Sequence, residues 1–122
     1  FTVDNKMHYL HQEGRTVFKY AVSSMSDVSA AIAEKNGLTK DSINWIVPHQ
    51  ANERIVKFIA KKLKMPVEKF YLNIYEYGNT SSASIPIALN EMFEKNLLEE
   101  GDKIIISGFG GGLTWGSMLI EI

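Results

Sequence analysis

Two uncharged side chains that can each turn an N–H toward one developing oxyanion sit at the ends of apolar runs in this sequence. They are His49, in Pro48-His49-Gln50-Ala51-Asn52, and Asn79, in Gly78-Asn79-Thr80-Ser81. A neutral imidazole donates through Nε2 and titrates near neutrality unless burial holds it neutral. An asparagine amide donates with no charge of its own. Two such donors converging on one oxygen form an oxyanion hole, able to stabilise an enolate or a tetrahedral intermediate. A third segment, Gly108-Phe109-Gly110-Gly111-Gly112, follows a strand pattern. Its glycines 110 to 112 admit positive φ and let backbone N–H groups face a ligand. Taken singly, each feature has a plainer reading: a histidine bonded to a loop carbonyl, an asparagine in a turn, a tight glycine link between strands. The glycine run also lacks a Walker lysine and a following helix, which argues against phosphate cradling.

The elements that must position these groups read as an alternating α/β pattern. Val17, Tyr20, Ala21, Ser24, Val28, Ala31 and Ile32 recur at helical spacing between Thr16 and Glu34, and Asn36-Gly37 supplies a stop. Ile43 to Val47 reads as a short buried strand closed by Pro48, which delivers His49 at its carboxyl end. A helix from Ala51 to Lys64 follows, apolar at Ile55, Val56, Ile59, Ala60 and Leu63. Phe70 to Ile74 reads as a second strand entering the loop that carries Asn79. Thr80, Ser81 or Ser82 then caps a helix that tolerates Pro86 in its first turn and is apolar at Ile85, Ala88, Leu89, Met92 and Phe93. Lys103 to Ser107 and Leu113 to Ile122 read as adjacent antiparallel strands, because the glycine link is too short for a parallel crossover. In such a fold, sites assemble at strand carboxyl ends, so the three segments predict one shared pocket.

Length and composition bound the answer. The 122 residues, 45% hydrophobic, suit one domain with one core. The formal charge of -1 argues against a globally basic nucleic-acid binder. With no cysteine, the chain has no disulfide, no thiolate metal site and no cysteine nucleophile of its own. No apolar run approaches the ~18 residues of a membrane span, and the expected location is cytoplasmic. Phe1 in place of methionine, with no clear period up to Gln12, reads either as a chain that starts inside a longer protein or as a processed terminus. His8 and His11 read as surface histidines, since no third metal ligand accompanies them. Arg54, Lys57, Lys61 and Lys64, with Lys62 nearby, form a basic stripe along the helix that follows His49. A solvated helix face is the plain reading, and docking of an acidic partner is the functional one.

In combination the motifs say more. Trp45-Ile46-Val47-Pro48-His49-Gln50-Ala51-Asn52, Tyr77-Gly78-Asn79-Thr80-Ser81-Ser82-Ala83-Ser84-Ile85-Pro86 and Gly108-Phe109-Gly110-Gly111-Gly112-Leu113-Thr114-Trp115-Gly116 resemble, in order and spacing, the C-terminal half of β-ketoacyl-acyl-carrier-protein synthase III. The resemblance runs from about Gly14 to the end. It implies a thiolase-like α/β fold in which residues 1–122 are the C-terminal domain: one half of a five-layer αβαβα condensing enzyme, a mixed sheet with flanking helices, normally a homodimer. The N-terminal half would carry the nucleophilic cysteine. By the same resemblance His49 and Asn79 complete a Cys-His-Asn triad, and Phe109, Gly110 and Gly111 border the reaction chamber. Gly14, Phe18, Ala51, Asn52 and Ile55 would line the pantetheine tunnel, and Arg54, Lys61 and Lys62 would receive the acidic carrier protein. No metal and no resident cofactor are implied. The CoA thioester and the carrier's phosphopantetheine are substrates, the primer most simply acetyl-CoA.

Two alternatives compete with this reading. A type III polyketide synthase or a secondary-metabolite ketosynthase shares the His-Asn chemistry, but Gly110-Gly111-Gly112 and Gln50-Ala51-Asn52 favour synthase III. A non-catalytic carrier-binding fragment is the other, against which the presence of both His49 and Asn79 argues. Nucleic-acid binding is weaker, because Phe58 is the lone aromatic on the basic helix.

Overall fold

The computed structural model describes residues 3–6, 9 and 12–122; His8 and His11 lie outside them. The chain runs α1 (Gly14–Lys35), β1 (Trp45–Pro48), α2 (Glu53–Leu63), a short α3 (Ile74–Tyr77), α4 (Ser84–Glu94), β2 (Lys103–Gly110) and β3 (Thr114–Glu121). The strands form one sheet in the order β1-β2-β3. β1 and β2 are parallel, with Ile46 beside Ile105, and β2 and β3 are antiparallel, with Phe109 opposite Trp115.

Strand alternation divides the core between the two faces of this sheet. Ile46 and Ile105 point to one side, where Ala21 and Met25 of α1 and Ile55, Val56 and Ile59 of α2 cover them. Val47 and Ile104 point to the other, against Ala88 and Met92 of α4. The result is helix, sheet, helix, with the middle strand buried on both faces, which is why Ile104-Ile105-Ile106 reads as an uninterrupted apolar run. The three long helices end alike. Leu38, Met65 and Leu97 N–H groups bond back to the carbonyls of Ala33, Ala60 and Met92, with Gly37, Lys64 and Asn96 in the left-handed region between.

Some elements differ from the sequence-based expectation. The predicted strand Phe70–Ile74 reduces to one parallel bridge between Phe70 and Ile46, so Asn79 is reached through α3 and a loop. Pro48, which ends β1, has no N–H to continue that pairing, and the buried Gln50 amide meets the Tyr71 carbonyl and the Asn73 N–H in place of a longer ladder. β1 starts at Trp45 rather than Ile43 and includes Pro48, and α2 starts at Glu53 because Asn52 is its N-cap, Oδ1 accepting from the Arg54 N–H at 2.8 Å. That helix stops at Lys64 in the left-handed conformation, before Met65-Pro66. No side chain caps α4. Ser81–Ala83 form a 3-10 turn instead, and α4 begins at Ser84 with Pro86 inside its first turn. Of glycines 110 to 112, only Gly112 takes positive φ, at 135°, because Gly110 is still in β2 opposite Thr114.

Candidate active site

The carboxyl ends of β1 and β2, the start of α1 and the loop entering α4 surround one open cleft of about 1050 Å³. His49, Asn79, Phe109, Gly110 and Gly111 all line it, as do Gly14, Phe18, Ala51, Asn52 and Ile55. Residues separated by up to about a hundred positions therefore meet because the parallel β1–β2 pairing and the antiparallel return to β3 bring their loops to one edge of the sheet.

His49 is held by its backbone. Its N–H donates to the Ser107 carbonyl at 2.8 Å, extending the ladder one residue past β1, and its own carbonyl accepts from the Ala51 N–H at 3.0 Å. The half-buried ring meets Phe109 edge to face, with centroids 5.6 Å apart and planes at 71°. Gly108 lies close by; a Cβ there would sit 3.8 Å from both His49 Cβ and Ile85 Cδ1. Burial pushes the His49 pKa below the ordinary histidine value. At pH 7 the ring is therefore neutral, with one N–H to donate and one lone pair to accept.

Asn79 follows Gly78, whose φ of 68° ends α3. Its Oδ1 accepts from the Ser81 N–H at 3.0 Å, an Asx turn. Engaging Oδ1 in this turn leaves the Nδ2 hydrogens as the free end of the amide, a geometry compatible with donation into the cleft. Asn79, Ser81, Ser82 and Ala83 are exposed in this chain. In the glycine segment, Thr114 Oγ1 donates to the Gly111 carbonyl at 3.1 Å, and a Cβ on Gly112 would lie 3.0 Å from Thr114 Cγ2.

On the rim, the Arg54 guanidinium stacks over the Phe18 ring at 5.5 Å, and Phe18 meets Phe58 edge to face at 5.5 Å. Lys61 is exposed, and Lys62 reaches across to Asp27 of α1 at 3.7 Å. The basic stripe is less uniform than its spacing suggests, because Lys57 is paired with Glu53 one turn earlier. Arg54, Lys61 and Lys62 stand outside the cleft on α2. Among the described residues no three His, Asp or Glu side chains gather as a metal would require.

The family described as 3-oxoacyl-[acyl-carrier-protein] synthase III, C terminal, matches residues 33–122. This chain belongs to that family. Among relatives of this synthase III C-terminal domain, beta-ketoacyl-[acyl-carrier-protein] synthase III 2 of Bacteroides thetaiotaomicron is 63% identical over 121 residues, 99% of this chain and 36% of the relative. The synthase III of Phocaeicola vulgatus is 57% identical over the same shares. The crystal structure of 3-oxoacyl-[acyl-carrier-protein] synthase III from Aquifex aeolicus superposes with a TM-score of 0.91 at 46% identity, covering 93% of this chain and 37% of that one. The chain thus spans about a third of the length of these relatives, and its fold is the thiolase-like α/β class, a mixed sheet with flanking helices.

Several contributors to the synthase III cleft carry no signal in the periodicity. Trp115, on β3, lines it and packs edge to face on Tyr20 at 5.4 Å. Behind the Asn79 segment, Tyr71 donates a short hydrogen bond to Glu91 Oε1, which Lys95 also reaches at 3.0 Å. Burial and then this bond push the Tyr71 pKa up to about 12, so the phenol stays a donor. Contact with Tyr71 first, then Lys95, holds the Glu91 carboxyl below its usual range. A buried glutamate within an apolar helix face could have flagged this network. Gln50, at 1% exposure, was legible only as part of the motif.

Proposed function

We propose that this chain is the C-terminal part of a condensing enzyme that joins an acyl group, acetyl in the simplest case, to malonyl-carrier protein. The acyl group passes from CoA to a cysteine outside this chain, releasing CoA thiol. Malonyl thioester then loses its carboxylate as CO₂, and the electron pair left behind forms an enolate. Its carbon attacks the acyl-cysteine carbonyl, the C–S bond breaks, and the 3-oxoacyl thioester leaves on the carrier. His49 and Asn79 donate to the enolate oxygen, so neither acts as a nucleophile. The Gly111 N–H, with that of the cysteine, would hold the tetrahedral oxygen, and Phe109 would wall the chamber. Gly14, Phe18, Ala51, Asn52 and Ile55 would enclose the pantetheine arm, and Arg54, Lys61 and Lys62 would attract the acidic carrier. The working enzyme is a cytoplasmic homodimer in this reading.

The observation that carries the proposal is the meeting of a neutral histidine, an asparagine amide with its oxygen already engaged, and a glycine turn in one cleft. The test is a hybrid in which this chain replaces the matching segment of the Bacteroides thetaiotaomicron synthase. Supplied with acetyl-CoA and malonyl-carrier protein, the hybrid should form 3-oxobutanoyl-carrier protein at a rate within about tenfold of its parent. A folded hybrid that loads acetyl groups yet forms no product would defeat the proposal.

A further inference from the structure

Gln50 follows His49, yet its side chain turns away from the cleft and is spent wholly on backbone. Nε2 donates to the Pro48 carbonyl at 2.9 Å and to the Tyr71 carbonyl at 3.0 Å, while Oε1 accepts from the Asn73 N–H at 3.1 Å. Both amide hydrogens and the oxygen are used at a position 1% exposed. Beside it the Tyr71 N–H bonds the Ile46 carbonyl at 3.0 Å, so the glutamine prolongs a strand-like pairing after β1 itself has turned off.

The partner segment leads directly to Asn79. The Asn73 carbonyl accepts from the N–H groups of Glu76 at 3.1 Å and Tyr77 at 3.2 Å, and the Gly78 N–H closes α3 on the Ile74 carbonyl at 2.8 Å. Asn79 is the next residue. One rigid turn therefore separates the group Gln50 holds from the amide in the cleft, and on its other side Gln50 is covalently joined to His49. We infer that Gln50 is a positioning residue that fixes the separation of the His49 imidazole and the Asn79 amide. No ladder can do this, because Phe70 makes a single bridge to β1. The inference deepens the proposed function and rests on it for its kinetic consequence.

Gln50→Glu keeps the shape and removes both donors, leaving a carboxylate against two carbonyls. In a crystal structure of the hybrid carrying it, Asn79 should move by about 1 Å relative to His49, and a misplacement of that size costs about 10²-fold in rate. The loss should fall on kcat for condensation, with KM for malonyl-carrier protein and the extent of acyl loading from acetyl-CoA within about twofold of the unmodified hybrid. Gln50→Asn, which keeps the amide but is one methylene short, should lose less. An unmoved Asn79 with full kcat in either folded variant overturns the inference, as does a parallel loss of loading and condensation. An unmodified hybrid that does not condense defeats the proposed reaction instead, and the Asn79 displacement still decides the role of Gln50. Should neither variant fold, hydrogen exchange at the Asn73 amide of the unmodified hybrid decides: slow exchange supports the clamp, and exchange as fast as an exposed amide overturns it.

Discussion

His49 shows how one residue's surroundings select its chemistry. In the proposed reaction the imidazole donates to an enolate oxygen, and burial favours a neutral ring and keeps bulk water from competing for that oxygen. Partial burial against Phe109 does both. The folded pKa is lowered, so the ring gains a proton only at a pH below the ordinary histidine value of about 6.5. The sign follows: any stability or activity that depends on the neutral ring is present above that value and is lost as pH falls through the depressed one. The acid limb of the condensation rate in the hybrid, followed as kcat/KM against pH, should therefore turn below pH 6.5. Replacing Phe109 with alanine should admit water and shift the limb upward. An acid limb above 6.5 in the unmodified enzyme would mean that another group titrates or that the ring is not buried during turnover.

Among the elements, α2 joins two tasks. Its N-cap, Asn52, borders the cleft, while its outer face carries the cations. Exposed charges act mainly on encounter rate and salt dependence. Arg54→Ala, Lys61→Ala and Lys62→Ala together should lower kcat/KM for malonyl-carrier protein about tenfold at low salt and less at high salt, sparing loading from acetyl-CoA. Lys57→Ala should do little, because Glu53 already engages that ammonium. Equal losses with both substrates would remove α2 as the carrier's landing face. The underside of the Asn79 segment makes a separate prediction. Tyr71→Phe removes the closer of the two phenols that bond buried Glu91, Tyr77 being the other, and loss of a hydrogen bond to a charged group costs about 1.5–3 kcal/mol. Differential scanning calorimetry of the hybrid should show a lower melting midpoint, and an unchanged one would mean that Tyr77, Lys95 and water compensate fully.

Much of this arrangement was legible in the sequence. Helical periodicity in α1, α2 and α4 and the apolar runs of β1 and β2 followed directly from which faces are buried. The order of the three loop motifs located the cleft. Phe70 to Ile74 misled because apolar composition reports burial, and Phe70 and Tyr71 are buried without a strand neighbour beyond one bridge. A side-chain amide replacing a ladder leaves no periodic trace. The glycine run misled in a smaller way, since composition reveals permission for positive φ but only the β2–β3 register decides which glycine uses it.

At the scale of the whole molecule the chain offers half of a chemistry. It has the donors that the proposed oxyanion chemistry needs but no thiol, and its exposed surface includes Asn79 and the small residues ahead of α4, with Phe93, Trp115 and Met118 also at least half exposed. Such a surface calls for a covering partner, and the 122 residues alone should self-associate in sedimentation velocity and show no acyl loading from acetyl-CoA. The most direct measurement follows both chemical steps in one preparation of the hybrid, comparing His49→Ala and Asn79→Ala with the unmodified enzyme. Covalent loading is read from labelled acetyl-CoA and decarboxylation from CO₂ released by malonyl-carrier protein. The prediction is loading within about twofold of normal in both variants, with CO₂ release and product each down by about 10²–10³-fold, the usual loss for one oxyanion donor. Decarboxylation that continues at the unmodified rate in either variant, or loading that fails while decarboxylation persists, would contradict the assignment of this cleft to the enolate.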